Sequence, residues 1–227
     1  MKHIINTKSV ATQGIALALG VITAMTFGFT MLEPQLGFAV VDDFTIRQQI
    51  TDEISFTVPA ADVTMVGPIQ GITGGNATGS TYTVVRTNSA AGYTMDISFS
   101  NGPAMRGEVS TSTSIRDYGV YGAEPTFAFT ASTAAQFAYT VSASSSTDLD
   151  PSFLNNGTNC NTGSATTTDR CWKGASTTNF RIINRSTNAS NGATTTIKFV
   201  VNVPSNPSPA LVQDFYQATA TLTALNQ

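Results

Sequence analysis

Residues 42–58 read DDFTIRQQITDEISFTV, and most apolar side chains in this stretch fall at even-numbered positions. A period of two is the repeat of an extended chain with one buried face. The pattern runs for about 15 residues, whereas a strand in a globular protein usually has about 5 to 6. Gln48 and Asp52 interrupt the apolar series. The stretch therefore predicts two separate halves, residues 44–50 and 53–58.

The two halves predict different roles. Residues 53–58 fit the first strand of a β-sandwich. Residues 40–52 form an N-terminal extension, in which Phe44, Ile46 and Ile50 have the spacing of a donor strand that pairs elsewhere, including with another subunit. Alternation does not distinguish pairing within one chain from pairing between chains. Completion of the chain's own domain is therefore the alternative.

The same alternation recurs through the rest of the chain. Strands are predicted at residues 63–66, 80–86, 92–100, 126–130, 136–143, 180–184, 193–203 and 214–225. We expect residues 80–86 and 92–100 to form a hairpin through the turn at 88–92, and residues 101–123 to be a surface excursion. No segment has helical periodicity, so the sequence predicts an all-β protein, an antiparallel immunoglobulin-like or jelly-roll β-sandwich.

Residues 1–39 have the layout of an export signal. Lys2 and Lys8 precede an uncharged run at 14–32, and residues 37–39 offer a small-residue cleavage site. The run is close to the length that spans a bilayer, so an uncleaved anchor is a second interpretation. The residues before Glu33 also resemble a type IV prepilin processing site, but no hydrophobic helix follows it. Both main interpretations predict an extracellular, cell-surface protein with one sandwich domain at 53–227.

The composition excludes several classes of function. With 11 Lys and Arg against 14 Asp and Glu, the net charge is -3, and no basic stripe is present for a nucleic-acid partner. His3 is the only histidine, so the exported part cannot carry a Ser-His-Asp or Cys-His site or a histidine-ligated metal. Carboxylate pairs such as Asp148 and Asp150 exist, but no feature brings an acid and a base together. We expect no enzymatic activity.

Residues 144–176 form a low-complexity insert rich in Ser, Thr and Asn. It contains Cys160 and Cys171, which we expect to form a disulfide that closes a loop of about a dozen residues. The adjacent Trp172 is expected to pack on this disulfide, with exposed sugar stacking as the alternative. Oxygen ligands for Ca²⁺ are offered by Asp148, Asp150, Asn155, Asn156 and Asn159. The alternative is a plain Asx-rich turn, and no other cofactor is predicted.

Four N-x-S/T sequons occur after the leader, at Asn76, Asn156, Asn184 and Asn188. Each lies in a predicted turn, where a glycan could be carried. Sequons also arise by chance in a chain so rich in Asn, Ser and Thr, so the sequence leaves glycosylation open.

The C-terminal strand carries a family resemblance. A proline-bearing turn followed by FYQATATLT at 215–223 resembles the closing strand of secreted β-sandwich subunits of surface fibres, including the spore coat U and archaic chaperone-usher pilin group. An exported leader followed by the long alternating segment 44–58 is similar to pilins that assemble by donor-strand exchange. The position of the two cysteines departs from that group. The resemblance implies a structural subunit of a pilus or fibre, with copies of itself as partners.

A second class of function follows from the loops. Loops on a rigid sandwich often carry binding sites. Residues 101–123 and 144–176 would then contact glycans of a host or neighbouring cell, and the protein would be a monomeric adhesin or carbohydrate-binding module.

Overall fold

The computed structural model describes residues 41–119 and 125–227. The chain divides into two units between Gln49 and Ile50. In the first unit, residues 41–49 are exposed and have no regular secondary structure. The predicted leader, residues 1–39, lies outside the described residues. The regular secondary structure in the described part of the second unit is almost entirely β-strand, as the alternation predicts.

Eleven strands are found in the described part of this second unit. They are β1 (Ile54–Val58), β2 (Gly75–Thr87), β3 (Tyr93–Phe99), β4 (Met105–Gly107), β5 (Ser114–Asp117), β6 (Gln136–Ala143), β7 (Lys173–Gly174), β8 (Phe180–Arg185), β9 (Ala193–Val203), β10 (Tyr216–Gln217) and β11 (Ala220–Asn226). The first strand is the predicted one, because β1 covers most of residues 53–58. The predicted strand 214–225 is divided into β10 and β11.

The strands form two sheets. The larger sheet has the order β1-β2-β9-β6-β5-β4-β10, with β7 paired to β6, and the smaller sheet has the order β11-β3-β8. In an immunoglobulin-type sandwich, strands A-B-E-D face strands C-F-G. The order β1-β2-β9-β6 corresponds to A-B-E-D, and β3 and β11 correspond to C and F. The β-sandwich is thus confirmed. Six strands follow the immunoglobulin order, whereas β8, which comes after β6 in the chain, and the parallel pairing of β5 with β6 depart from it.

The core lies between the two sheets and is rich in aromatic side chains. Phe137 and Tyr139 of β6 are buried, and their rings lie 5.9 Å and 5.7 Å from that of Phe99 of β3. A second, smaller cluster contains Trp172 and Tyr118, with Phe129 packed against it. Phe137 and Tyr139 therefore belong to the core of the sandwich.

The predicted hairpin between residues 80–86 and 92–100 is wrong. β2 belongs to the larger sheet and β3 to the smaller one, so the loop between them crosses the sandwich. Gly92 has φ +84, and an added Cβ would lie 2.0 Å from the carbonyl oxygen of Arg185. The loop between β8 and β9 crosses between the sheets in the same way. A short polar loop with a glycine therefore serves here as an arch between sheets.

Three further predictions need correction. Residues 101–123 are more than a surface excursion, because they supply β4 and β5 and the buried side chains of Met105 and Ile115; residues 120–124 lie outside the description. Residues 126–130 form no strand, and only Thr126 makes a bridge, to Trp172. Residues 63–66 form no strand either, because only Val66 pairs, with Thr78.

The insert 144–176 is better ordered than its composition predicts. It contains two 3₁₀ turns, Ser146–Asp148 and Pro151–Phe153. Leu149 and Phe153 belong to the main core, each 2% exposed. The insert also pairs with the edge of β8, where Leu149 bridges Ile183 and the Asp150 N–H donates to Ile182 O at 3.0 Å.

In the described ranges, no helix has the length and apolar character needed to cross a membrane.

Candidate functional site

The candidate site is the outer edge of β11 in the smaller sheet. β11 pairs with β3 on one side, over the register Ala220↔Phe99 to Asn226↔Tyr93. No strand in the described ranges pairs with its other side. This side corresponds to the place of strand G in an immunoglobulin-type sandwich. The smaller sheet thus ends in an edge that can accept a strand.

Whether a residue number in β11 is odd or even decides the direction in which its main-chain N–H and C=O groups point. Thr219 O accepts from Ser100 N at 3.0 Å, and Gln227 N donates to Gly92 O at 3.1 Å. In an antiparallel pair, residues alternate in pointing their main-chain groups toward and away from the partner. The odd-numbered residues of β11 therefore point to β3. The N–H and C=O groups of Ala220, Leu222 and Ala224 point to the outer edge.

A groove of about 640 Å³, lined by apolar and polar residues in similar measure, opens beside this edge. Side chains of both sheets line it. The smaller sheet contributes Ile97, Phe99, Ala220 and Leu222, and the larger sheet contributes Thr81, Phe137, Ile197 and Phe199. Ile97, Phe137 and Ile197 are buried beneath the groove, whereas Leu222 is only half-buried. The core of the sandwich is therefore incompletely covered on the side of β11.

The opposite wall of the groove is a segment that leaves the larger sheet. After β1, residues 60–65 line the groove, and pairing with β2 resumes only at the Val66↔Thr78 bridge. Within this segment the Ala61 N–H donates to Thr81 Oγ1 at 2.9 Å. The departure of residues 60–65 from β2 separates the sheet edges and leaves room between them.

Asn88 holds the chain just before β1 at the end of the sandwich opposite the groove. Its Nδ2 donates to Thr51 O at 3.0 Å, its Oδ1 accepts from Glu53 N at 2.7 Å, and its N–H donates to Glu53 O at 3.4 Å. Ile54 pairs with Thr87 at this end. The extension therefore departs from a fixed point, and its free part begins near Ile50.

The three predicted assembly residues are exposed. Phe44 is 81% exposed, Ile46 84% and Ile50 83%. None of them lies in a strand. Alternating apolar side chains are thus displayed to solvent in a segment that has the sequence pattern of a strand, while no described strand pairs with the outer side of β11.

The insert holds the predicted disulfide and a differently placed tryptophan. Cys160 and Cys171 are bonded. Trp172 is 5% exposed, and its indole N–H donates to Asp169 O at 3.0 Å. It packs with Tyr118, Ala138 and Val200 in the second cluster and not on the disulfide. The exposed sugar-stacking role is also wrong, because the ring is buried.

The side chains predicted as calcium ligands form hydrogen bonds or an ion pair with other residues of the protein. Asp148 forms an ion pair with Arg185 of β8, and Asp150 accepts from Ser152 N. Asn155 Oδ1 accepts from Gly157 N and Thr167 Oγ1. Burial, with a smaller contribution from Asp148, raises the pKa of Tyr93 to about 12. These groups connect the insert to the core by hydrogen bonds and an ion pair.

The sequons lie on the surface, but two are not in turns. Asn76 is an exposed residue of β2 and Asn184 an exposed residue of β8. Asn156 and Asn188 lie in loops, as predicted. Asn184 Oδ1 accepts from Gln227 Nε2 at 2.7 Å.

Sequence reasoning missed the Asn88 contacts and the free edge. The sequence pattern identifies Asn88 only as part of a predicted turn. No local sequence signal indicates which strand lies at the edge of a sheet. No protein-family model matches the chain, and no curated protein gives a significant sequence match. The function is therefore inferred from the geometry of β11 and its groove.

Proposed function

We propose that the protein is a structural subunit of an extracellular surface filament, in which residues 44–50 of one subunit add as a strand to β11 of the next. The observation that supports this is the outer edge of β11, with which no described strand pairs, beside a groove that contains apolar side chains of both sheets. An added strand would satisfy both, through main-chain hydrogen bonds and through alternate side chains in the groove. The partners are other copies of the chain.

The extension matches β11 in length and side-chain spacing. β11 has 7 residues, the length of the segment 44–50, and each spans roughly 20 Å at about 3.3 Å per residue. Phe44, Ile46 and Ile50 would point to one side of an extended strand. That side would enter the groove, and Thr45, Arg47 and Gln49 would face solvent.

Strand direction favours addition between subunits. β11 runs toward the end of the sandwich where Asn88 holds Thr51 and Glu53. A segment 44–50 that folded back on its own β11 would run toward the same end, and the pairing would be parallel. A segment from a neighbour can add antiparallel, as in both existing pairs of the smaller sheet. Antiparallel pairing is slightly more stable per residue.

The test is assembly of protein that begins at residue 40, followed by negative-stain electron microscopy and light scattering. We expect regular filaments that survive dilution. Deletion of residues 40–50, or Phe44→Asp with Ile46→Asp, should give monomers. The matched control is Thr45→Asp with Gln49→Asp, which adds the same charge on the opposite side and should still polymerise. Unchanged filaments after the deletion would refute the donor role.

A further inference from the structure

A second apolar surface lies at the end of the sandwich where the groove opens. Four side chains are highly or substantially exposed there: Ile72 is 74% exposed, Val109 87%, Val212 46% and Phe215 79%. We call this set the crown. Phe215 also lines the groove, whereas the other three do not. Contiguous exposed apolar groups on a soluble protein often mark an interaction site.

The crown is a connected surface, because the turn at 211–216 contacts the loops on both sides of it. On one side, Glu108 N donates to Phe215 O at 2.8 Å. On the other, an added Cβ on Gly71 would lie 3.5 Å from Leu211 O. Asn206 N also donates to Ile72 O at 2.7 Å. The apolar side chains of all three segments therefore belong to one end of the molecule.

Asp214 fixes the geometry of the crown. Its carboxylate accepts from Ser110 N at 2.7 Å, from Val109 N at 3.1 Å and from Phe215 N at 2.8 Å. Gly107 lies against this carboxylate, and an added Cβ would lie 2.6 Å from Asp214 Oδ2 and 2.8 Å from Ser110 O. The exposed valine and phenylalanine are thus held in place by hydrogen bonds to one side chain.

We propose that the crown is the surface against which the body of the donor subunit packs in the filament. This rests on the proposed function. An antiparallel donor places its Ile50 beside Ala220, at the crown end, and its Phe44 at the other end of β11. In the donor, Thr51 is held by Asn88, and consecutive Cα atoms are about 3.8 Å apart. The donor body must therefore contact the acceptor where the groove opens, which is the position of the crown.

The test separates the crown from the groove by two measurements. The crown variant is Ile72→Ser with Val109→Ser, which leaves the groove lining unchanged. The control variant is Tyr82→Ser, which removes a side chain that is 55% exposed on β2, away from the crown. A labelled peptide of residues 42–52 is titrated against the Phe44→Asp, Ile46→Asp protein, with and without the crown substitutions. The critical concentration for filament growth is measured for the crown and control variants in protein whose extension, residues 40–52, is unchanged.

We expect the crown variant to bind the peptide within about twofold of its parent and to need about a 10-fold higher concentration to grow filaments, since the burial of two apolar side chains at the interface would be lost. The Tyr82→Ser control should grow normally. Normal growth of the crown variant would overturn the crown interface and would leave the donor strand intact. Absence of peptide binding to the parent would instead overturn the donor strand itself. If only the crown variant lost peptide binding, the crown would be part of the peptide-binding groove and not a separate interface.

Discussion

The two outer edges of the smaller sheet differ in how far other parts of the chain cover them. At the β8 edge, the insert covers the strand through Leu149 and Asp150, and Ile182 and Ile183 are fully buried. At the β11 edge, no described strand pairs, and Leu222 and Ala224 remain half-buried. An open edge is a liability unless it has a partner. The fold thus closes one edge with its own residues, and no described strand covers the other.

The largest difference in the free energy of unfolding is expected when one side chain is truncated at each of the two edges. Phe153→Ala deletes a buried ring that lies 6.1 Å from Tyr139 and 6.0 Å from Phe180. The cavity should lower the free energy of unfolding by about 3–5 kcal/mol. Leu222→Ala, at the half-buried edge, should lower it by about 1–2 kcal/mol. Urea denaturation of monomeric protein measures both, and equal losses would mean that the β11 edge is as closed as the other.

Proline substitution tests the free edge of β11 directly. Thr223 points its N–H to β3, so Thr223→Pro removes a sheet hydrogen bond and should cost about 3 kcal/mol. Ala224 points its N–H outward, so Ala224→Pro should cost about 1 kcal/mol or less in the monomer. The same Ala224→Pro chain should fail as an acceptor in filament growth. A large loss of monomer stability in Ala224→Pro would show that this edge is already paired.

Removal of the disulfide probes the closed edge alone. Replacing Cys160 and Cys171 by Ser frees a loop with a sequence separation of 11, which should lower the free energy of unfolding by about 2–3 kcal/mol. Hydrogen exchange should speed up first at the Asp150 amide, since the insert contributes that bond to β8. The amides of β11 should change only with global stability. Selective loosening of β11 would contradict the independence of the two edges.

The smallest expected effect is a loss of local stability around Asp214 at low pH. Backbone donation, chiefly from the Ser110 N–H, holds the pKa of the Asp214 carboxyl below its usual value. The stabilisation is therefore fully present above the unfolded pKa and is lost as the pH falls through the lower folded value. We expect the protection factors of the Val109, Ser110 and Phe215 amides, which are corrected for the intrinsic pH dependence of exchange, to fall at low pH relative to those of β3. In Asp214→Ala these protection factors should not change with pH relative to β3, and a pH effect that persists in that variant would exclude Asp214 as its cause.

The alternating pattern predicted most strands but not their sheets. Residues 92–100, 136–143 and 193–203 contain β3, β6 and β9. The alternate residues of β3 are buried, whereas β6 is buried on both sides from Gln136 to Val141. The period of two defines the buried face of each strand, but it carries no information about which strand lies beside it. For this reason the loop at 88–92 was expected to form a hairpin, and the free edge of β11 was not predicted.

The failure at residues 126–130 has a visible physical cause. In a strand, Phe127 and Phe129 would share one face. In the structure, Phe127 packs against the main core and Phe129 against the cluster of Trp172 and Tyr118. Competition between two clusters bends this segment, and sequence alone does not show that the second cluster exists. The candidate donor residues were predicted, but their pairing depends on the experiments above.

The pairing of β2 with β9 has a kinetic consequence. This central pair joins Asn76 to Asn202 and Val85 to Ala193, so its hydrogen bonds close very long loops. The ends of such loops meet slowly, and folding rates fall as contacts become more distant along the chain. During synthesis, β2 has no partner in the larger sheet except β1 until β9 has been made. We therefore expect the molecule to fold late, on a timescale of about milliseconds to seconds, and its strands to be open to wrong partners during that interval.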